Sequence, residues 1–211
     1  MATQNTNRKY DRDFLLSPEK RNQLIELWEV EKYGRDCFDD PNHVHLYGMP
    51  PKEWYERGVR ILARTCLEAV KDPLGNKIGS DIAGVVARAS ANRAIGVVDP
   101  FAGSCNGLYA ILRHLPGAKG IGFEVEPTVF DLTTRNMAHL NAPIELVHGS
   151  YKDLVARGGT LPNISSSFSS ALHGVTRFSL TQACTWIVPS HPFWKLFMIS
   201  SRSTARSPSS T

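Results

Sequence analysis

The sequence has no acidic residue after Asp153, although the preceding part holds all 20 of its Asp and Glu residues. Residues 1–153 also carry 19 Lys and Arg, which gives them a net charge of −1, whereas residues 154–211 carry five bases. The overall charge of +4 therefore comes from the C-terminal part alone. A basic balance of this kind does not indicate a nucleic-acid-binding surface on the folded part, so strong nucleic-acid binding is not expected there.

Cysteine is also scarce, and its four copies are too widely spaced to form a C-x-x-C pair: Cys37, Cys66, Cys105 and Cys184. This spacing indicates neither a disulfide framework nor a zinc site, and it favours a reducing, cytoplasmic location. The loop predicted over residues 36–49 contains Asp39, Asp40, His43 and His45. Because the spacing of metal ligands is absent from it, we expect a solvated turn and no metal site.

Long hydrophobic runs are missing as well. The first 14 residues are polar and charged, without the apolar centre of a signal peptide. The apolar run over residues 193–199 is too short to cross a bilayer and contains Lys195. We therefore predict no contact with a membrane.

The most informative stretch is residues 94–126, AIGVVDPFAGSCNGLYAILRHLPGAKGIGFEVE. Its β-branched run before Asp99 predicts a buried parallel strand. A loop of small residues follows, and then Leu108, Ile111, Leu112 and Leu115 recur at helical spacing. A second strand is predicted to end at Glu124. The unit is thus strand, glycine loop, helix and strand, with an acidic residue ending each strand.

This unit suits a nucleoside-containing ligand. Gly103 can adopt backbone angles closed to other residues, and it has no side chain to hold a ligand away. Glu124 lies 21 residues after Gly103, the spacing at which an acid on the second strand binds the ribose hydroxyls of a nucleoside. We expect the ligand in the crevice at the ends of the strands.

The loop resembles the first motif of the class I S-adenosylmethionine-dependent methyltransferases, an acid ending strand one and then D-x-F-x-G-x-G. Residues 99–106 read DPFAGSCN, with Cys105 in place of the second glycine. Residues 126–127, Glu-Pro, resemble the continuation of the second motif. The similarity covers residues 94–153, under a third of the chain.

The resemblance implies a Rossmann-like α/β fold, S-adenosylmethionine as cofactor and a methyl acceptor of unknown class. Asp99 and the loop backbone would hold the methionine part, Glu124 the ribose, and Ser150, where the family commonly has an acid, the adenine. Tyr151 would stack on or flank that ring, and the alternative is that Ser150 and Tyr151 are ordinary loop residues. No catalytic residue is assigned. The predicted cofactor-binding residues are Asp99, Phe101, Ala102, Gly103, Ser104, Asn106, Glu124 and Ser150.

Three other interpretations stay open. The chain could be a non-catalytic remnant or binding module that keeps a cofactor-type crevice, or the unit could be structural, without a ligand. It could also be a nicotinamide-dinucleotide site in an oxidoreductase, but the charge of Asp99 would repel a diphosphate.

An N-terminal helical extension is predicted over residues 1–90. A helix is expected to begin at Ser17 and end at Gly34, with Trp28 in the core. Another is expected to begin at Pro50 and Pro51 and continue to about Val70, before a turn at residues 72–76. A third is expected to start at Ser80.

The Rossmann-like core is predicted over residues 91–157, with strands one to three evident. Residues 158–211 hold most of the serines and show no sustained period, so we expect a poorly ordered tail and an unpaired outer edge on strand one. The alternative is that residues 186–188 and 193–199 pair with that edge or pack on it, although we expect no tight packing there. Residues 190–193, SHPF, only loosely resemble the fourth motif of the family. A frame change, truncation or aberrant splicing near residue 158 would produce this shift of composition.

Overall fold

The computed structural model describes residues 12–89, 94–156, 185–186 and 196–201. It is an α/β structure in which three strands are parallel: β1 (Ala94–Asp99), β2 (Lys119–Glu124) and β3 (Ile144–His148). Two further strands, β4 (Thr185–Trp186) and β5 (Leu196–Ser201), extend the sheet in the order β3-β2-β1-β5-β4.

The outer edge of β1 is paired. β5 runs antiparallel to β1, with Val98 opposite Phe197 and Ala94 opposite Ser201. The prediction that this edge would lack a partner is therefore wrong, because a strand from the C-terminal part satisfies its backbone hydrogen bonds. The other residues of the predicted disordered tail, including the SHPF segment, lie outside the described residues.

The helices between the parallel strands agree with the sequence prediction. α6 (Asn106–Arg113) follows the glycine loop and buries Leu108, Ile111 and Leu112. α7 (Pro127–His139) begins with proline in its first turn, and the carboxylate of Glu126 accepts hydrogen bonds from two N–H groups of that turn. α8 (Tyr151–Ala156) follows β3. The apolar face of α6 and the proline at the start of α7 are local signals, which explains why the sequence located these two helices, whereas α8 was not predicted.

Within the described residues, five helices precede the sheet: α1 (Arg12–Leu16), α2 (Leu27–Phe38), α3 (Pro51–Glu56), α4 (Thr65–Glu68) and α5 (Asp72–Ala89). The predicted start at Ser17 is wrong. α2 begins ten residues later, where the Glu29 carboxylate accepts a hydrogen bond from the Glu26 N–H 3.0 Å away. Gly34 is buried inside this helix, which ends at Phe38 and is followed by Asp39 in a left-handed conformation.

The start at Pro51 is confirmed, but the predicted single helix is divided into α3 and α4. The predicted turn at residues 72–76 and start at Ser80 both fall inside α5. This long helix packs closely on α6 through glycine. A Cβ atom on Gly79 would lie 2.6 Å from His114 Cδ2 and 2.9 Å from the Ala110 carbonyl oxygen.

One hydrophobic core joins the N-terminal helices to the sheet. Val30, Trp54 and Ile61 belong to the same buried cluster as Val97 and Leu108. Within the described residues, no helix is long and apolar enough to span a membrane.

The two tryptophans of the N-terminal part differ sharply. Trp54 is completely buried and donates a hydrogen bond from Nε1 to the Val44 carbonyl oxygen 3.1 Å away. Trp28 is 62% exposed, so the prediction that it lies in the core is wrong. It stands in the first turn of a helix whose buried residues are Val30, Tyr33 and Gly34, and this places it outside the buried stripe.

This difference gives a stability prediction. Trp54→Ala should lower the free energy of unfolding by about 3–5 kcal/mol, because it leaves a cavity in the core. Trp28→Ala, the matched control, should change it by no more than about 0.5 kcal/mol. Urea denaturation measures both. Similar losses from the two substitutions would contradict the packing described here.

Candidate functional site

The loop between β1 and α6 turns sharply at two left-handed residues. Gly103 has a φ of 51° and Cys105 a φ of 60°. A Cβ atom on Gly103 would meet no atom within 4 Å, because this residue faces an open groove that it helps to line. Cys105, which stands where the resembled motif has glycine, keeps the left-handed turn and is fully buried beneath the loop.

Asp99 ends β1 at the base of the groove, with only 4% of its surface exposed. One carboxylate oxygen accepts a hydrogen bond from the Phe101 N–H 3.0 Å away. Burial raises the pKa of Asp99 to about 6, and the negative charge of Glu124 acts in the same direction. A carboxyl group that is costly to ionise thus faces the space where a ligand would lie.

Glu124 ends the neighbouring strand β2 and lines the same groove. Its Oε2 accepts a hydrogen bond from the Gly103 N–H at 3.1 Å, and its Oε1 accepts one from the Glu126 N–H at 2.8 Å. The carboxylate therefore ties the glycine loop to the start of α7. Because a carboxylate has about four lone-pair positions, two backbone bonds leave capacity for a ligand hydroxyl.

The opposite wall of the groove comes from α4 and the residues on either side of it, which the sequence did not identify as part of the site. Arg64, Thr65, Glu68, Ala69 and Val70 line this wall. No short motif marks them, since their position depends on the packing of α4 against the N-terminal segment. The cavity has a volume of about 120 Å³, less than the roughly 300–1,000 Å³ of typical small-molecule pockets. A nucleoside-sized ligand would extend beyond its mouth.

The structure brings seven of the eight predicted residues to this groove: Asp99, Phe101, Ala102, Gly103, Ser104, Asn106 and Glu124.

Ser150 does not line the groove. It precedes α8, and its hydroxyl oxygen accepts a hydrogen bond from the Lys152 N–H at 3.2 Å. Its neighbour Tyr151 has its ring 5.5 Å from that of Phe101, in an edge-to-face contact. Phe101 is 57% exposed. Ser150 and Tyr151 therefore lie on the β3 side of the glycine loop, beyond the closed part of the groove.

Asn106 has a structural role beside its place on the groove. Its Oδ1 accepts a hydrogen bond from the Tyr47 N–H at 2.6 Å, and its Nδ2 donates to the Val70 carbonyl at 2.6 Å and to Asp72 Oδ1 at 3.1 Å. The second oxygen of Asp72 accepts a hydrogen bond from the Gly48 N–H at 2.7 Å. Asn106 thereby fixes the N-terminal segments on the first turn of α6.

Two carbonyl groups of the glycine loop are held from different elements. The Thr133 hydroxyl, on α7, donates to the Gly103 carbonyl oxygen at 2.8 Å. The Tyr47 hydroxyl, from the N-terminal part, donates to the Ser104 carbonyl oxygen at 2.7 Å. The loop is therefore preorganised without a ligand.

The loop with two aspartates and two histidines is not assembled as a metal site. His43 stacks on Phe38, with ring centroids 3.4 Å apart, and burial lowers the pKa of His43. His45 Nδ1 lies 3.8 Å from Asp72 Oδ2. Among the residues that the structure describes, no three His, Cys, Asp or Glu side chains form a group that could hold a metal ion.

Comparison of the chain with models of protein families, with curated proteins and with solved structures finds no match. We therefore infer a function from the groove itself.

The buried carboxyl group gives a prediction for stability against pH. The pKa of Asp99 is about 6 in the folded chain and about 4 in an unfolded one. Between about pH 4 and pH 6, the folded state therefore binds more protons than the unfolded state. Stability is then lost as the pH rises through this interval. Asp99→Asn should raise the free energy of unfolding at pH 8 by about 2–3 kcal/mol and change it little at pH 4.

Urea denaturation of both proteins across this pH range measures the difference. Asp131→Asn, which removes an exposed carboxylate on α7, serves as the control and should give a small, flat difference. A variant of Asp99 that is equally stable or less stable than the parent at pH 8 would contradict the burial of a costly charge.

Proposed function

We propose that the groove binds S-adenosylmethionine and that the chain is a methyltransferase of the Rossmann-like class. The observation that carries the proposal is the pair of acids, Asp99 and Glu124, at the carboxyl ends of adjacent parallel strands, with the glycine loop between them. In α/β sheets, ligands bind in the crevice outside these strand ends. This pair of acids supports a ligand that carries cationic groups and a ribose.

The charge of the groove favours this cofactor over a dinucleotide. Three acids line the groove, Glu68, Asp99 and Glu124, against one base, Arg64, within the described residues. A diphosphate next to Asp99 would be repelled, whereas a sulfonium and an ammonium group would be attracted. Binding such a cation also offsets the cost of ionising the buried carboxyl group.

Different residues of the groove would contact different parts of the ligand. Asp99 would face the methionine part, the backbone of Phe101, Ala102, Gly103 and Ser104 would follow the ligand, and Glu124 would accept from the ribose hydroxyls. Asn106 would hold the loop in place. Ser150 would reach the adenine only where the ligand leaves the closed part of the groove.

When bound, S-adenosylmethionine supplies an electrophilic methyl group on a sulfonium. The contribution of the chain is then to hold that group in line with a nucleophile, since correct positioning lowers the barrier of a two-substrate reaction. The acceptor would enter at the open mouth, beside the exposed ring of Phe101. We assign no catalytic base and leave the acceptor class open.

A binding module without turnover is the second candidate, and one observation favours it. The strand next to β1 is antiparallel, whereas the resembled family continues its parallel sheet there and has its fourth motif after that strand. The wall that orients an acceptor in that family would then be different here.

Calorimetric titration tests the cofactor. S-adenosylmethionine and S-adenosylhomocysteine should bind, and NAD should not. Asp99→Asn should weaken both adenosyl ligands by about 10- to 100-fold, the loss expected when a charge-assisted hydrogen bond becomes neutral. Asp131→Asn should leave the affinities unchanged. Binding of NAD alone would overturn the proposal.

The affinity should also depend on pH. Because the pKa of Asp99 is about 6 in the free chain, the attractive charge is lost as the pH falls below this value. S-adenosylhomocysteine should therefore bind about tenfold more tightly at pH 7.5 than at pH 5, and the Asp99→Asn variant should show no such change. A flat profile for the parent chain would remove Asp99 from the site.

Transfer of a labelled methyl group to pools of RNA, DNA, protein and small metabolites separates the two candidates. Labelling of one pool, absent in the Asp99→Asn variant, supports a methyltransferase and gives the acceptor class. Tight cofactor binding without labelling of any pool supports the binding module.

A further inference from the structure

Lys71 lies between α4 and α5 and is partly buried. Its Nζ donates hydrogen bonds to the carbonyl oxygens of Leu67 at 3.2 Å and Ala69 at 2.9 Å. The side chain therefore folds back on the C-terminal end of α4, where carbonyl groups have no partner within the helix. Ala69 and Val70, directly before it, line the groove.

The amine of Lys71 differs from those of several other lysines in its partners. Lys20, Lys32, Lys52 and Lys77 each pair with a carboxylate. In the part of the chain that the structure describes, the hydrogen bonds of Lys71 Nζ go to two neutral carbonyl groups instead. A charge that is removed from water is ordinarily paired, because burial without a partner is costly. The charged form of this amine is therefore disfavoured.

The titratable groups around Lys71 supply no negative charge at neutral pH. Cys66, on α4, stays protonated, because burial raises the pKa of its thiol to about 12. His43 follows α2, and burial and the charge of Lys71 both lower the pKa of its ring. Glu29, the carboxylate that acts on Cys66, pairs with Lys20 Nζ at 2.7 Å.

The number of hydrogen bonds also fits a neutral amine. An ammonium group has three N–H donors, whereas a neutral amine has two and a lone pair, and Lys71 Nζ donates twice. Burial lowers the pKa of Lys71 to about 8. At pH 7 about one amine in ten is then neutral, against roughly one in 2,500 for an exposed lysine with a pKa of about 10.4.

We propose that Lys71 is a modification site, at which the amine accepts an acyl group from a small thioester. The lone pair of Nζ attacks the thioester carbonyl carbon, and the N–C bond forms as the C–S bond breaks. The thiolate leaves, and the proton lost from the nitrogen passes to solvent. The resulting amide keeps one N–H, so it can hold only one of the two carbonyl groups. This site goes beyond the proposed function and does not depend on it.

Competitive labelling tests the reactivity on the full chain. A brief pulse of S-phenyl thioacetate is given at pH values from 6 to 10. The chain is then unfolded and labelled to completion with deuterated acetic anhydride, so that mass spectrometry of peptides gives the extent of the first reaction at each lysine. The control is Lys52, whose side chain is 71% exposed.

The labelling rate of Lys71 should be half-maximal near pH 8 and level above about pH 9, whereas that of Lys52 should rise about tenfold per pH unit through this range. The same continuous rise at Lys71 would overturn the proposal. An absence of label at Lys71 at every pH would overturn it as well, because the amine would then be closed to the reagent.

Urea denaturation gives a second measurement, with Lys71→Met as the variant that keeps the length without the amine. The pKa of Lys71 is about 8 in the folded chain and about 10.4 in an unfolded one, so the unfolded state binds more protons between these values. Relative to Lys71→Met, the unfolding equilibrium constant of the parent should therefore fall about 10- to 100-fold from pH 8 to pH 10. Lys52→Met should behave as the parent does, and an identical response of Lys71→Met would contradict a neutral amine.

Acylation should also reach the groove, and this consequence rests on the proposed function. The carbonyl groups that Lys71 holds adjoin Val70, whose carbonyl oxygen accepts a hydrogen bond from Asn106 Nδ2 at 2.6 Å. The chain acetylated at Lys71 should bind S-adenosylhomocysteine about fivefold more weakly, the loss expected for one hydrogen bond. Lys71→Met treated with the same reagent should show no such change.

The outcomes are distinguishable. Equal affinity of the acetylated and untreated parent chains would show that the modification does not reach the groove. If the untreated chain does not bind S-adenosylhomocysteine, the proposed function fails, whereas the labelling profile of Lys71 still decides the modification site.

Discussion

The hydrogen bonds of Asn106 are the constraint on which the site depends. This buried side chain joins the Tyr47 and Val70 backbone to Asp72 at the first turn of α6. An apolar residue here would leave three buried polar groups without their partners, at about 1–3 kcal/mol each. The N-terminal helices are consequently an integral part of the site, because they fix the loop that follows β1 and supply the second wall of the groove.

Several features of the groove are not needed to stabilise the fold. Asp99 is buried with a raised pKa, Cys105 adopts a left-handed conformation, and the open side of Gly103 has no neighbour within 4 Å. Features that cost stability and converge on one concave surface are typical of binding sites.

Sequence reasoning succeeded where the signals are local. The strand before Asp99, the loop at Gly103 and the proline at the start of α7 are each recognisable within a few residues. It failed where packing between distant segments determines the structure. Trp28 lies outside the buried stripe of its helix, and β5 pairs with β1 although the two strands are far apart in the chain. Arg64 was missed because its place on the groove depends on contacts with residues 21–25.

The most direct test of the account is a crystal structure of the chain with S-adenosylhomocysteine. We predict that the ligand occupies the groove, with its ammonium group about 2.7–3.2 Å from the Asp99 carboxylate and its ribose hydroxyls on Glu124. A ligand bound on another surface, or a groove that stays empty at saturating ligand, would contradict the central claim.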